Sequence, residues 1–494
     1  MVVYEKSPAP HALPRAAHLD DEAMRILQAA GAAGAVAADA RVIDGMDVVN
    51  ARGRRLIRAR KRPGGAGWPT ANLVHQPDVE AALRAGIGRY PHVEVRAGHE
   101  VVAVAGDDAG ATLSVVGRGE AYAERASWVV GCDGAHSIVR AAIGARMRAP
   151  GIPFEERWLV VDVRLHSPTQ LPDRLQHVAD PRRPTTYVPF AGQRRRWEFR
   201  LRAGESDDHV TRPAAVAELL RPYVDPALVD IERAAVYRFA GAVATRWRRG
   251  RLLLAGDSAH VMPPFIGQGL CAGLRDAAFL GWALAMVARG DAPAALVDAY
   301  ERERLPHVVA ATRLSVRAGR LTGMRPAAAA ARDALVAAAR RSSRLAGLLD
   351  GIVEGAPRIR SAVAGAGGAW LRPLQQPWVL APAGQRLRLD DALGPAWAVL
   401  GLGTNPRTWA GDHPAWALAG ARFLRVLLPG EALHSTGPAV RDADGEFARW
   451  AAAAGRMPMV IVVRPDRYVF GVYRAGAGRR AAADFARALG LGHG

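Results

Sequence analysis

Apolar and polar positions change rhythm several times along this chain. VVYEK (2–6) reads as a short buried strand ending in an acid. LDDEAMRILQAAG (19–31) takes a helical period, with acids in its first turn and Gly31 at its end. RVIDGMDVVNARGRRLIRAR (41–60) predicts a hairpin turning at Ala51–Gly53. Gly64–Gly67 reads as a loop, and HQPDVEAALRAGI (75–87) as a helix starting near Pro77. Several short strands fill 92–130, and WVVGCDGAHSIVR (128–140) reads as strand, turn, helix.

The segment 151–240 differs. WLVVDVRL, TTYVPF and RRWEFRLRAGE alternate between two faces and predict an antiparallel sheet. Helical periods return after Gly267 and run to about residue 349. A Gly/Ala/Pro-rich stretch (355–384) marks a boundary. The remainder, 385–494, is a smaller unit of strands and helices in which MVIVVRPDRYVFGVY (459–473) reads as one strong strand. The class is α/β, mixed with α+β, in pieces 1–150, 151–240, 241–354, 355–384 and 385–494.

Composition narrows the options. With 494 residues, half of them hydrophobic, the chain can bury the cores of two or three domains. No run of eighteen apolar residues predicts a membrane helix, and MVVYEKSPAPHALPRA has no signal-peptide core, so a cytoplasmic location is expected. Two cysteines, Cys132 and Cys271, fit a reducing compartment and read as packing residues. The formal charge of 66 − 47 = +19 is almost all arginine, spread from end to end with only Lys6 and Lys61 as lysines. That spread, without an aromatic-interleaved basic stripe, argues against a nucleic-acid partner and leaves attraction of small anions. The histidines lack paired metal-ligand spacing.

Three short stretches carry chemistry. Glu5 follows a strand, where an acid can hold a ribose hydroxyl pair. GCDGAHSIVR (131–140) places Asp133 just past a buried strand, with Gly134 permitting close backbone approach, Ser137 able to cap and Arg140 adding charge. LLLAGDSAHVMPPFIGQGL (252–270) is the most specific. Gly256 and Asp257 follow a buried strand, where ligands collect in α/β sheets. Pro263 and Pro264 make a stiff wall beside a flat ring. Gly267 and Gly269 free backbone N–H groups, and the helix starting near Gln268 points its positive dipole end there.

These stretches resemble the flavin-dependent aromatic hydroxylases of the p-hydroxybenzoate hydroxylase fold. Within them the chain is similar to the 3-(3-hydroxyphenyl)propionate/3-hydroxycinnamate hydroxylases, through PRAAHLDDEAMRILQAAG, HQPDVEAALR, FEERWLVVDV, DPRRPTTYVP, RRRWEFRL, GQGLCAGLRDAA and VVRPDRYVFG. The resemblance implies a Rossmann-like FAD-binding domain with an inserted antiparallel substrate sheet, and a C-terminal thioredoxin-like domain without the CxxC of a redox thioredoxin. It implies FAD as cofactor and NADH or NADPH as co-substrate. The activity implied is hydroxylation of a small phenolic acid with O₂ through a flavin C4a-hydroperoxide. No nucleic acid or membrane takes part, and a homodimer is open. Carried over residue by residue, Glu5 holds the adenosine ribose and Arg15 lies near the pyrophosphate and the nicotinamide. Gln76 touches the ribityl region, and Asp133 with Gly134 lines the groove of FAD and NAD(P)H. Gly256 and Asp257 hold the ribityl or ribose hydroxyls, Pro263 and Pro264 line the flavin, and Gly267, Gln268, Gly269 and Leu270 present backbone to its ring. His260 and Tyr187 are the two candidates for proton transfer.

One signature is absent. The GxGxxG turn that cradles the pyrophosphate, and its strand, are not in these residues. A late-placed start explains this more readily than a truncation, and the chain as it stands is expected to bind FAD weakly. Two other readings stay open: a tailoring hydroxylase of fused-ring polyketides, and a non-catalytic binding protein on the flavin fold.

Overall fold

The computed structural model describes every residue except 62–63, 351, 355–356, 366–372, 432–436, 454–457, 475 and 492–494, and not the side chains of 61, 352–354 and 453. Two parallel strand pairs form the nucleotide-binding layer. Val2–Glu5 pairs with Glu94–Ala97, and Val129–Gly131 pairs with Leu252–Leu254. All three leucines of the second pair are buried, and they share one core with Tyr4 and with Phe279, Ala283 and Met286 of the long helix Gly269–Arg289. The helix Asp21–Ala29 starts where expected, because Asp20 accepts the Ala23 N–H at 2.9 Å.

The helix Gly269–Arg289 reaches a mean hydropathy of 1.4 over eighteen residues and is long enough to cross a membrane. The sequence pattern did not reveal this. Half of that window is buried within the fold, and Arg275 and Asp276 on the helix are paired inside it.

The substrate sheet is larger than the 151–240 segment. Its eight strands run in the order Val229–Ala240, Glu155–Leu165, Arg194–Arg200, Thr185–Pro189, Leu175–Ala179, Met46–Asn50, Arg55–Lys61 and Ile352–Glu354. The hairpin turning at Ala51–Gly53 thus joins this sheet. The join is the parallel pairing of Met46–Asn50 with Leu175–Ala179, a five-residue strand too short to declare its period. The sheet has two distinct faces. Leu159, Val161, Tyr187, Trp197 and Phe199 pack against Val216 and Leu220 of the helix Pro213–Leu220. Their strand neighbours Trp158, Asp162, Thr186, Arg196 and Glu198 take the opposite face.

The C-terminal unit is a seven-stranded mixed sheet, and it begins before residue 385, since Trp378–Leu380 is already one of its strands. MVIVVRPDRYVFGVY is not one strand but a hairpin, Met459–Val463 with Val469–Arg474. Pro465 and Asp466 interrupt the apolar run, and Arg467 takes φ +67 in the turn.

That turn docks the unit onto the helices Gly269–Arg289 and Asp298–Thr322. Arg464, 1% exposed, bonds both oxygens of Glu303 (2.9 and 3.0 Å) and both of Asp466 (2.9 and 2.6 Å). Its guanidinium lies over Phe279 and Trp282, and Trp282 meets Trp397 edge-on at 5.5 Å. A second clamp joins Arg25 to Asp390 at 2.6 Å and to the Leu374 carbonyl. Arg464→Ala strands two buried carboxylates, so it is expected to destabilise the protein by about 3–5 kcal/mol, read as a lower urea midpoint.

Candidate functional site

The Asp133 and Asp257 turns come together because their strands are neighbours. Past the strand ends, the Gly131 carbonyl accepts the Ala255 N–H at 3.0 Å and the Ser258 hydroxyl at 2.5 Å. Arg140 then clamps the turns, reaching the Ser258 carbonyl at 2.9 Å and the Ala135 carbonyl at 2.6 Å. Asp133 caps the helix Ile138–Ile143 through the N–H groups of Ile138 and Val139, with Gly134 at φ +78. Asp257 is exposed beside this pair, and its carboxylate makes no hydrogen bond or ion pair with the described residues.

The loop that follows is rigid. Pro263 is buried and its carbonyl accepts the Ser315 hydroxyl at 2.6 Å, while Pro264 is exposed. Gly267 has φ +63, and a Cβ there would meet the His18 ring at 2.9–3.0 Å. Gln268 is held from both ends, donating to Asp20 at 3.1 Å and accepting from Arg275 at 3.3 Å. Its side chain therefore does not cap the helix Gly269–Arg289, whose first N–H groups, on Gly269 and Leu270, lack a side-chain acceptor. An uncapped helix start, glycines that keep the backbone bare and a free carboxylate at the strand end suit an electron-rich flat ring carrying a polyol chain.

Asp20 and Arg275 were not foreseen as site residues. Arg275 bonds Asp20 at 2.7 Å and Glu22 at 2.7 Å, and Tyr468 of the C-terminal unit donates to Glu22. Burial opposes ionisation of Asp20, but Arg275 outweighs it and holds the carboxyl below its usual range. The signal was present in the sequence: Arg275 and Asp276 interrupt an otherwise apolar helix, and buried charges need partners.

His260 sits inside the fold, not at the open slot. It is 1% exposed, its Nε2 meets Asp276 at 2.7 Å, and its ring lies 5.5 Å from Trp247. Asp276 also accepts from Arg304 at 2.9 Å and from the Gly256 N–H at 3.1 Å. This placement makes His260 a scaffold for the Gly256 turn.

Tyr187 points the wrong way for proton transfer at the slot. It belongs to the face packed on Pro213–Leu220, 5.1 Å from Trp197, and burial pushes its hydroxyl up to about 12. Tyr187→Phe is expected to leave turnover within about two-fold and not to lower the melting temperature, because the buried hydroxyl contributes no strong bond.

The other sheet face does meet the loop. Trp158 packs on Phe265 at 5.5 Å, and His177 bonds the Phe265 carbonyl at 3.2 Å and Thr186 at 3.0 Å. Arg196, 2% exposed, bonds Asp162 at 2.7 Å and holds the carbonyls of Pro14 and Arg15. Gln76 pins the same segment by accepting the N–H groups of Arg15 and Ala16. The Arg15 side chain is exposed. Glu5 stands at the end of its strand and accepts the Ser7 N–H at 2.7 Å. Cys271 is buried and contacts the carbonyls of His18 and Gly267, while Cys132 is exposed.

Two strand-end turns, a bare helix start and a polar sheet face converging on one loop define a flavin-binding protein of the doubly wound α/β class. The chain belongs to the FAD binding domain family, whose model matches residues 1–315, and residues 372–488 match the HcaD C-terminal domain. It is 35% identical to a 3-(3-hydroxy-phenyl)propionate/3-hydroxycinnamic acid hydroxylase 2 of Burkholderia vietnamiensis, over 95% of this chain and 88% of that protein. It is 34% identical to a probable NADH-specific resorcinol 4-hydroxylase of Rhodococcus jostii, over 97% and 88%. Its fold matches the flavin-dependent monooxygenase PieE with a TM-score of 0.80 at 21% identity, covering 99% and 95% of the two chains. Aklavinone-11 hydroxylase matches at 0.73 and 22%, covering 99% and 94%. The protein is a member of the FAD-dependent aromatic hydroxylases.

Proposed function

We propose that this chain hydroxylates the ring of a small phenolic acid of the 3-hydroxyphenylpropionate kind, with NADH and O₂. The observation that supports it most is the placement of a charged, largely enclosed sheet face directly against the Phe265 loop, in a chain 35% identical along nearly its whole length to hydroxylases of such acids. The fused-ring alternative has only likeness of fold behind it, at 21–22% identity.

FAD supplies the electron transfer from NADH and the activation of O₂. The chain's own residues do the positioning. Asp257 would take the ribityl hydroxyls and Gln268–Leu270 would offer N–H groups to the ring, the Gly267 N–H being held by the Pro264 carbonyl, while Pro263 fixes the loop against Ser315. Glu5 at one strand end and Asp133 just past another would serve the adenosine and nicotinamide portions. Phe154, Trp158, Phe239 and Phe265 form an aromatic cluster that keeps water from this side of the loop. The protein, given excess FAD, is expected to oxidise NADH and consume O₂ several-fold faster with 3-(3-hydroxyphenyl)propionate, releasing a dihydroxylated ring. No stimulation by any phenolic acid would contradict the reading.

A further inference from the structure

Glu198 stands on the polar face of the eight-stranded sheet, opposite Thr186. It is 6% exposed, and no hydrogen bond from the described residues reaches it. Its nearest charge is Arg196 Nη1 at 3.8 Å, but that guanidinium is already committed to Asp162 and to the Pro14 and Arg15 carbonyls. A buried carboxylate without a donor is costly and calls for a ligand.

Register fixes where Glu198 points. Trp197 and Phe199, its neighbours along the strand, pack into the core under Pro213–Leu220, so Glu198 faces the other way. Opposite it on one side is Thr186, whose partner His177 bonds the Phe265 carbonyl. Opposite on the other side is Val160, flanked by Trp158 against Phe265 and by Asp162. Arg233 closes the cluster, bonding Asp162 at 2.9 Å and Tyr237 at 2.9 Å. The groups around Glu198 are therefore Arg196 and Arg200 on its own strand, Asp162 on the strand of Val160, Arg233 on the strand beyond it, and Thr186 and His177 toward the loop.

We propose that Glu198 is the proton acceptor for the ring hydroxyl of the substrate, an inference that rests on the phenol reading above. The hydroxyl O–H bond breaks, an O–H bond forms on a Glu198 oxygen, and the electron pair stays on the ring oxygen, which enriches the ring carbon to be oxygenated. The proton returns to a ring oxygen when the aromatic product forms. Burial raises this carboxyl to about 7, against the opposing pull of Arg196, so it can exchange a proton near neutrality.

The test compares wild type, Glu198→Gln and Glu198→Asp at saturating FAD. With a phenol that is neutral at the assay pH, Glu198→Gln is expected to lose about 10²–10⁴-fold in kcat with KM within a few-fold. A nitro-substituted phenol that is already anionic needs no acceptor, and the loss should shrink to less than about ten-fold. Wild type should show an acid limb in kcat with an apparent value about 7, kept in Glu198→Asp and absent from Glu198→Gln. Without any cofactor, infrared difference spectra should show a carboxylic acid carbonyl band titrating over the same range, missing in Glu198→Gln. Equal losses on both phenols, or none, would overturn the proposal while leaving the phenol reading intact. Absence of turnover by wild type on every phenol would overturn both.

Discussion

Asp276→Ala is expected to destabilise the protein by about 3–5 kcal/mol, because it leaves the buried Arg304 without its anion. Asp276 is fully buried and bonds three donors: His260, Arg304 and the Gly256 N–H. Burial disfavours its charge, but Arg304 and His260 outweigh that and lower its carboxyl from the usual range. A depressed carboxyl gives stability that is complete above the ordinary carboxylate range and fades as pH falls through its folded value. Urea unfolding should therefore separate wild type from Asp276→Ala widely at pH 7, and the gap should narrow toward strong acid. Flavin affinity should fall as well, since the Gly256 turn loses its anchor. An unfolding midpoint unchanged at pH 7 would show that the network contributes little.

Asp257→Ala should act in the opposite manner, on the ligand and not on the fold. The carboxylate is exposed and engages no described residue, so the melting temperature should stay within about 1 °C, as for most surface substitutions. Its loss removes charge-assisted hydrogen bonds to the ribityl hydroxyls, worth about 1.5–3 kcal/mol, or roughly 10–100-fold in FAD affinity. Flavin fluorescence quenching measures this directly. Equal affinity of Asp257→Ala would contradict the role of the carboxylate.

Local signals account for much of this molecule. The strand before Gly256, the cap at Asp20 and the hairpin at Ala51–Gly53 follow from apolar runs, one acid and one glycine in the right places. What escaped the pattern is what depends on partners far along the chain. Leu175–Ala179 is too short to show a period, yet it joins the 46–61 hairpin to the substrate sheet. His260 is a proton-transfer candidate in the sequence, although a histidine in such a turn is more often a structural hydrogen-bond former, and Asp276, sixteen positions later, takes that bond. Tyr187 and Thr186 are adjacent, and only strand register decides which one faces the loop. Glu198 hides in RRWEFRL for the same reason: a polar residue between two aromatics reads as the solvent side of a strand, whereas here that side is covered by the Phe265 loop and the Pro14–Arg15 segment.

A flavin ring is expected to lie on the backbone of Gly267–Leu270, with the polar sheet face across from it. A crystal structure grown at high FAD concentration tests it most directly. The ring is expected against those four residues, the ribityl hydroxyls on Asp257, and open space between the ring and Glu198 large enough for one phenol. Flavin bound elsewhere on the chain, or a ring whose substrate side faces away from Glu198 and His177, would contradict it.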